Sequence, residues 1–253
     1  MNMQQPNFAN TEDLLLIIFA GILPAILLVV YIYIRDKYQR EPVSQIIRGV
    51  VFGIVASIFA MLLEIAIKWI IGVMPEGWQG ALTEAFVVAA IPEEAAKLLM
   101  LYLLLRQNPA FDERFDGIVY AVCVSMGFAA TENIIYLIAH QVWVPVAISR
   151  AVFAVPGHFL FAVAMGYFYS RLFFDKSDMK TALAVYLVPV LLHGTYDSLL
   201  FIAKAEPGWK TWFVILFYVF FFRMFKYGRK RIREQLANDR RDPAQRAFYA
   251  PKD

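Results

Sequence analysis

Cysteine is almost missing from this chain: Cys123 is the only one in 253 residues. That excludes an intrachain disulfide and any zinc site built on cysteine. Cys123 itself reads as a small packing residue. Charge is scarce too. Asp, Glu, Lys and Arg make up 18% of the residues against 60% hydrophobic ones, and the mean hydropathy is +0.56. A soluble domain is usually about 45–50% apolar. Here the few charges are clumped between long apolar runs. The composition argues against a large soluble core and predicts an all-α, polytopic integral membrane bundle. The first thirteen residues hold no Lys or Arg. A cleavable signal peptide needs a basic start, so the first apolar run is expected to be a mature span.

What is present is a series of apolar runs, each of the roughly 20 residues that cross a bilayer. Seven spans are expected, at about 14–34, 46–71, 82–105, 117–139, 156–174, 182–203 and 209–225. The stretch 142–174 is too long for one straight span and is divided by Pro145, Arg150 and Pro156. Residues 143–154 are therefore expected to form an external interfacial or re-entrant helix. Positive residues set the orientation. Arg35, Lys37, Arg40 and Arg48 follow the first span, Arg106 and Arg114 the third, and Arg171, Lys176 and Lys180 the fifth. From Arg223 onward there are ten Lys or Arg. The alternate connections carry few, so the N-terminus is expected outside and the C-terminus in the cytoplasm. The chain reads as one transmembrane domain, 1–225, and a basic tail, 226–253. The tail is expected to anchor on anionic lipid and to be polar and partly unstructured beyond Arg233. It shows no nucleic-acid recognition fold.

The apolar runs are interrupted by ionisable residues. An acidic side chain at bilayer depth costs roughly 2.5–3.5 kcal/mol even on lenient scales, so such residues are functional candidates by default. Glu93 and Glu94 are adjacent, and Lys97 lies one helical turn after Glu93. Two neighbouring carboxylates and a lysine can supply a base and an acid together. Glu64 and Lys68 share the same i,i+4 spacing, but read as a self-neutralising helix pair. Glu132 and Asn133 follow Gly127, Phe128 and Ala129, small residues included, that let a neighbouring helix come close. His158 opens the fifth span. In the sixth, Asp197 lies one turn after His193 and can orient its ring. His140, at an external span end, reads as interfacial. Pro92, Pro156 and Pro189 sit beside three of these sites and suggest broken helices around a wet cavity. Counting 1.5 Å per residue places the ionisable groups at the midplane and in the outer half, so the cavity is expected to open to the extracytoplasmic side.

Four motifs, in order over about residues 90–200, resemble those of the PrsW family of intramembrane proteases. They are Glu93-Glu94-x-x-Lys97, Gly127-Phe128-Ala129-x-x-Glu132-Asn133, His158 with Gly166, and His193-x-x-x-Asp197. Asp116-Gly117 and Arg150 look similar as well. The resemblance implies a glutamate-dependent endopeptidase in a bacterial inner membrane. It is related to the CAAX-prenyl endopeptidase and bacteriocin-processing group. The substrate implied is a single-span membrane protein, such as an anti-sigma factor cut at site 1. The implied catalytic set is Glu93, Glu94, Glu132, His158 and His193, with Lys97, Asn133 and Asp197 in support. Glu132-Asn133 stands where the CAAX enzymes use a histidine motif, which argues against prenyl-protein processing.

Peptide hydrolysis needs an activated water and a partner for the oxyanion. Glu93 or Glu94 is the expected base, and His193, His158 or Asn133 the oxyanion partner. No cofactor is assigned, but a zinc-dependent variant stays open, with Glu132, His158 and His193 as ligands. Two other readings fit midplane acids and broken helices: a proton- or ion-coupled transporter, and a non-catalytic scaffold that binds partner helices.

Overall fold

Long apolar runs without water to satisfy their backbone must form helices, and the computed structural model is all-helical among the residues it describes, 11–36, 39–175 and 178–241. The helices are α1 (Thr11–Arg35), α2 (Val43–Ile71), α3 (Gly77–Leu82), α4 (Ile91–Leu105), α5 (Arg114–Ala139), α6 (Trp143–Ser149), α7 (Val155–Phe174), α8 (Met179–Ala205) and α9 (Lys210–Arg241). The ten N-terminal residues, Lys37, Lys176 and residues 242–253 of the expected tail lie outside the described residues.

Among the described residues, six helical stretches are long and apolar enough to cross a membrane, where seven spans were expected. The seventh, 82–105, runs from the end that holds Trp78 to the end that holds Arg106 but does not qualify by composition. It is helical throughout, but it carries Glu84, Glu93, Glu94 and Lys97, too much charge for a membrane span by composition. Residues 143–174 are helical without a break, so α6 runs on into α7 and 143–154 is not set apart from the fifth span as expected. Pro145 sits in the first turn of α6, where no N–H is needed, and so does not break it.

α5 is the core. Nearly every residue from Phe115 to Ala129 is buried, because α1, α2 and α7 cover it on several sides. Glycines set the approach. A Cβ on Gly127 would collide with the Val50 carbonyl of α2, and one on Gly53 with the Val124 carbonyl of α5. Gly117 and Gly166 bring α5 against α7 in the same way. The outer faces are apolar: Leu15 and Phe19 of α1, Leu62 and Ile65 of α2, and Leu216 and Phe222 of α9 are exposed. That pattern suits a surface solvated by lipid.

The two ends of the bundle differ in chemistry. All five tryptophans, Trp69, Trp78, Trp143, Trp209 and Trp212, lie on helices or connections at one end, the position of an interfacial aromatic belt. The other end carries Arg35, Arg40, Arg48, Arg106, Arg114, Arg171 and Lys180. α9 runs on through most of the expected tail: 234–241, part of the stretch expected to be partly unstructured, is helical, and 242–253 lie outside the described residues. Its buried stripe explains this: Met224, Gly228, Ile232, Gln235 and Asp239 recur every three or four residues. Asp239 accepts from the backbone N–H groups of Arg114 and Phe115, both at 2.9 Å, and so caps α5.

Candidate active site

Two prolines introduce the site. Pro92 stands at the start of α4, and the eight residues before that helix, Thr83–Ala90, are π-helical. Pro156 stands at the start of α7 after a second π-helical segment, Arg150–Ala154. At each junction the backbone bond spans five residues: Ile91 N–H donates to the Phe86 carbonyl, and Val155 N–H to the Arg150 carbonyl. The wider turn makes room where a proline ring would clash with the carbonyl four residues back. The helices are thus widened at Pro92 and Pro156 instead of broken. Each π segment ends within about one helical turn of a site residue, Glu93 or His158.

Lys97 is the hub. Its ammonium has three N–H donors and three buried acceptors around it: Glu94 Oε1 at 2.8 Å, Glu93 Oε2 at 3.2 Å and His158 Nδ1 at 3.2 Å. It also sits 4.0 Å from the centroid of the Phe128 ring. With Nδ1 accepting, the proton of His158 belongs on Nε2, which lies 2.8 Å from Glu132 Oε2. Glu132 is held in turn by Arg150 at 2.9 Å, and Arg150 Nε donates to Asn133 Oδ1 at 2.6 Å. His193 lies on the other side of Glu94. Its Nδ1 is 3.0 Å from Glu94 Oε1 and its Nε2 3.2 Å from Asp197 Oδ2. A carboxylate at each ring nitrogen suits the doubly protonated ring. Phe161 stacks on it at 4.8 Å and 17°.

A cavity of about 490 Å³ reaches this network between α2, α5, α8 and α9. Glu93, Glu132, His158, His193 and Asp197 line it; Glu94, Lys97 and Asn133 do not. All the residues singled out in the sequence therefore converge, but in two layers. Asn133 is turned away from the cavity, donating to the Gly21 carbonyl of α1 at 3.2 Å and accepting from Arg150. His193 and His158 are engaged at both nitrogens. The Glu64–Lys68 pair also differs from expectation. Lys68 bridges instead to Glu84 on the π segment at 2.7 Å, and Glu64 faces the cavity. Ser149 lines the cavity without a histidine bonded to it, and Ser125 and Ser198 donate to backbone carbonyls.

Arg150 is the site residue that motif reading used only as a span divider and a point of family likeness. A lone arginine within an apolar run was the available signal. His140 is exposed at the tryptophan end, as expected of an interfacial residue.

A metal set also differs from the expected Glu132, His158 and His193. Among the described residues, the group whose ligand atoms all lie within 4.8 Å of one another is Glu93, Glu94 and His158. The reason is local. His158 spends Nε2 on Glu132, and His193 is committed to Glu94 and Asp197. The donor chemistry of the observed trio fits a divalent metal. It holds two carboxylates and an imidazole, and the second ring nitrogen of that imidazole is oriented by a carboxylate, a common feature of metal-bound histidine.

Residues 41–225 match the model of the PrsW family intramembrane metalloproteases. Curated relatives agree. The chain is 37% identical over 195 residues to Protease PrsW of Geobacillus kaustophilus, covering 76% of this chain and 83% of the relative. It is 36% identical over 206 residues to Protease PrsW of Bacillus subtilis, covering 81% and 89%. With Protease PrsW of Clostridioides difficile the identity is 31% over 227 residues, covering 87% and 92%. No solved structure matches the chain. With its buried Glu-Glu-Lys-His network inside a bundle of membrane-length helices, this multi-pass bacterial membrane protein belongs to the PrsW family of intramembrane proteases.

Proposed function

We propose that the protein is an endopeptidase that cuts a single-span membrane protein, with an anti-sigma factor as the leading substrate class, and that Glu93 handles the proton of the attacking water. The observation that carries this is the split between the two glutamates. Glu93 lines the cavity, while Glu94 is fully buried between Lys97 and His193. Glu93 thus meets a water in the cavity, takes its proton, and returns it to the leaving amine. Glu94 fixes the positions of Lys97 and His193. Arg150 is the best oxyanion donor. It lines the cavity, and its five N–H groups exceed the two acceptors that hold it.

Glu93, Glu94 and His158 are also the residues that would hold a divalent metal, which supplies Lewis acidity and an acidified water when bound. The remaining groups do the same work in either case: Glu132 fixes the His158 tautomer, and Asp197 orients His193.

The basic end faces the cytoplasm by the positive-inside rule, and the tryptophan end, toward which α2 carries Glu64 and Lys68 along the cavity wall, faces outward. With this orientation the proposed cut lies near the extracytoplasmic side.

The test is co-expression with tagged single-span membrane proteins. Wild type should release a fragment that Glu93→Gln does not, at equal expression. Cleavage by Glu93→Gln at the wild-type rate would remove Glu93 from the proposed role. A transporter would instead show substrate-dependent proton flux and no fragment.

A further inference from the structure

Lys97 occupies the point on which the metal-binding trio converges. Its three donors are met by Glu93 Oε2, Glu94 Oε1 and His158 Nδ1, and Glu93, Glu94 and His158 are also the trio able to hold a metal. Two cations cannot share three ligands of this spacing. Lys97 is 2% exposed and lies over the Phe128 ring, so it is a seated component of the site and not a mobile surface chain. Charge points the same way. When both are ionised, two carboxylates beside a neutral imidazole carry two negative charges. The ammonium balances one of them, and a divalent ion would balance both.

Resting on the protease reading above, we propose that Lys97 is a tethered cation that competes with a divalent metal for Glu93, Glu94 and His158, so that metal enters only when the ammonium swings out. The lysine keeps the ligands gathered when no metal is bound, which avoids the repulsion of adjacent buried carboxylates. It also sets the affinity of the site by the cost of its own displacement. The stem of a lysine is long and flexible, and the adjoining cavity offers Glu64, a carboxylate with no hydrogen bond or ion pair of its own among the described residues, as a place for the displaced ammonium. Glu132, by contrast, stays with Arg150 and His158 and keeps the imidazole aimed at the trio in both forms.

The experiment uses the full chain purified in detergent, with Co²⁺ and Zn²⁺ as probes. Metal affinity is measured by competition with a chromophoric chelator, for wild type, Lys97→Met and Lys97→Arg, with Glu93→Gln/Glu94→Gln as the background for binding elsewhere. Lys97→Met removes the charge and keeps the length. It should bind Co²⁺ at least tenfold more tightly than wild type, while Lys97→Arg stays at or below wild type. Without metal Lys97→Met should melt below wild type, and Zn²⁺ should restore its melting point. Equal or weaker metal binding by folded Lys97→Met overturns the proposal. So does the absence of trio-dependent binding in both proteins.

If Lys97→Met does not fold even with Zn²⁺, the wild type decides the matter. A small amine-reactive reagent, read by mass spectrometry, should modify Lys97 more in the presence of Zn²⁺ than without it. Unchanged labelling overturns the proposal. None of these readouts is proteolysis, so a protease that fails them loses the competition and not its activity. An inactive protein that passes them keeps the competition and loses the reading on which its purpose rests.

Discussion

At the scale of single residues, the site works by denying most of its polar groups any freedom. The contacts that join the site cross between helices: Lys97 to His158, Glu94 to His193 and Glu132 to His158. Arg150 ties the last of these to Asn133 through its fork. An arginine can hold Glu132 and Asn133 while keeping donors for a developing oxyanion, and a lysine at the same place cannot, because its charge is a point with no fork. Arg150→Lys should therefore retain the fold and the net charge but lower kcat by about 10²–10³, the usual effect of losing one oxyanion donor. KM should change little. Cleavage measured in reconstituted membranes at matched expression checks this. A rate within a factor of two of wild type would assign Arg150 to structure alone.

At the scale of helices, the sequence was informative wherever the information was local. The i,i+4 partnerships of Glu93 with Lys97 and of His193 with Asp197 both form as the spacing indicates. The third pair of that spacing, Glu64 and Lys68, does not, because Glu84 on a different segment offers Lys68 a nearer carboxylate. Helical periodicity cannot see such a competitor. Nor could it foresee the π segments, since a proline in an apolar run signals a kink or a break equally well. The trio that comes together differs from the expected Glu132, His158 and His193 for a related reason: which ligands converge depends on which ring nitrogen each histidine spends elsewhere, a matter of packing. The small residues before Glu132 were legible, and they now have a partner. Gly127 lies against Val50 and Gly53 against Val124, which seats α5 on α2. Gly127→Leu must push the two helices apart, since the obstacle is a backbone carbonyl and not a flexible side chain. Destabilisation of roughly 1–3 kcal/mol or more is expected, together with loss of cleavage as Glu132 moves off His158. A thermal melt in detergent reads the first effect, and an unchanged midpoint would mean the contact is not tight.

At the scale of the whole molecule, charge that is sparse in the bundle is concentrated at the basic end, and there it is buried. Asp36, Glu41, Glu113, Asp116 and Asp239 are all nearly inaccessible, and they join the connection after α1 to the starts of α2 and α5 and the end of α9. Glu41 is hydrogen-bonded by Tyr120, and Glu113 forms a reciprocal cap with Asp116 at the start of α5. Burial pushes the Glu41 carboxyl up to about 7, against the lowering effect of the Tyr120 bond. Burial and the neighbouring Asp239, Asp36 and Asp112 push Glu113 up to about 8. Both values lie above the ordinary 4.5. The folded protein therefore holds protons on these two groups that the unfolded chain has already released. Below pH 4.5 both states are protonated and the groups contribute no difference. As pH rises from there to about 8 the folded state loses stability relative to the unfolded one, and above that the loss is complete. The melting midpoint of the detergent-purified protein should fall between pH 5 and 9. In Glu41→Gln/Glu113→Gln, whose amides keep an acceptor for each existing hydrogen bond, the fall should be shallower and the midpoint at pH 9 higher than wild type. A wild-type midpoint that is flat or rises over this range would mean that the two carboxyls are ionised and satisfied in the folded protein, and that the basic end is held together by its arginines instead.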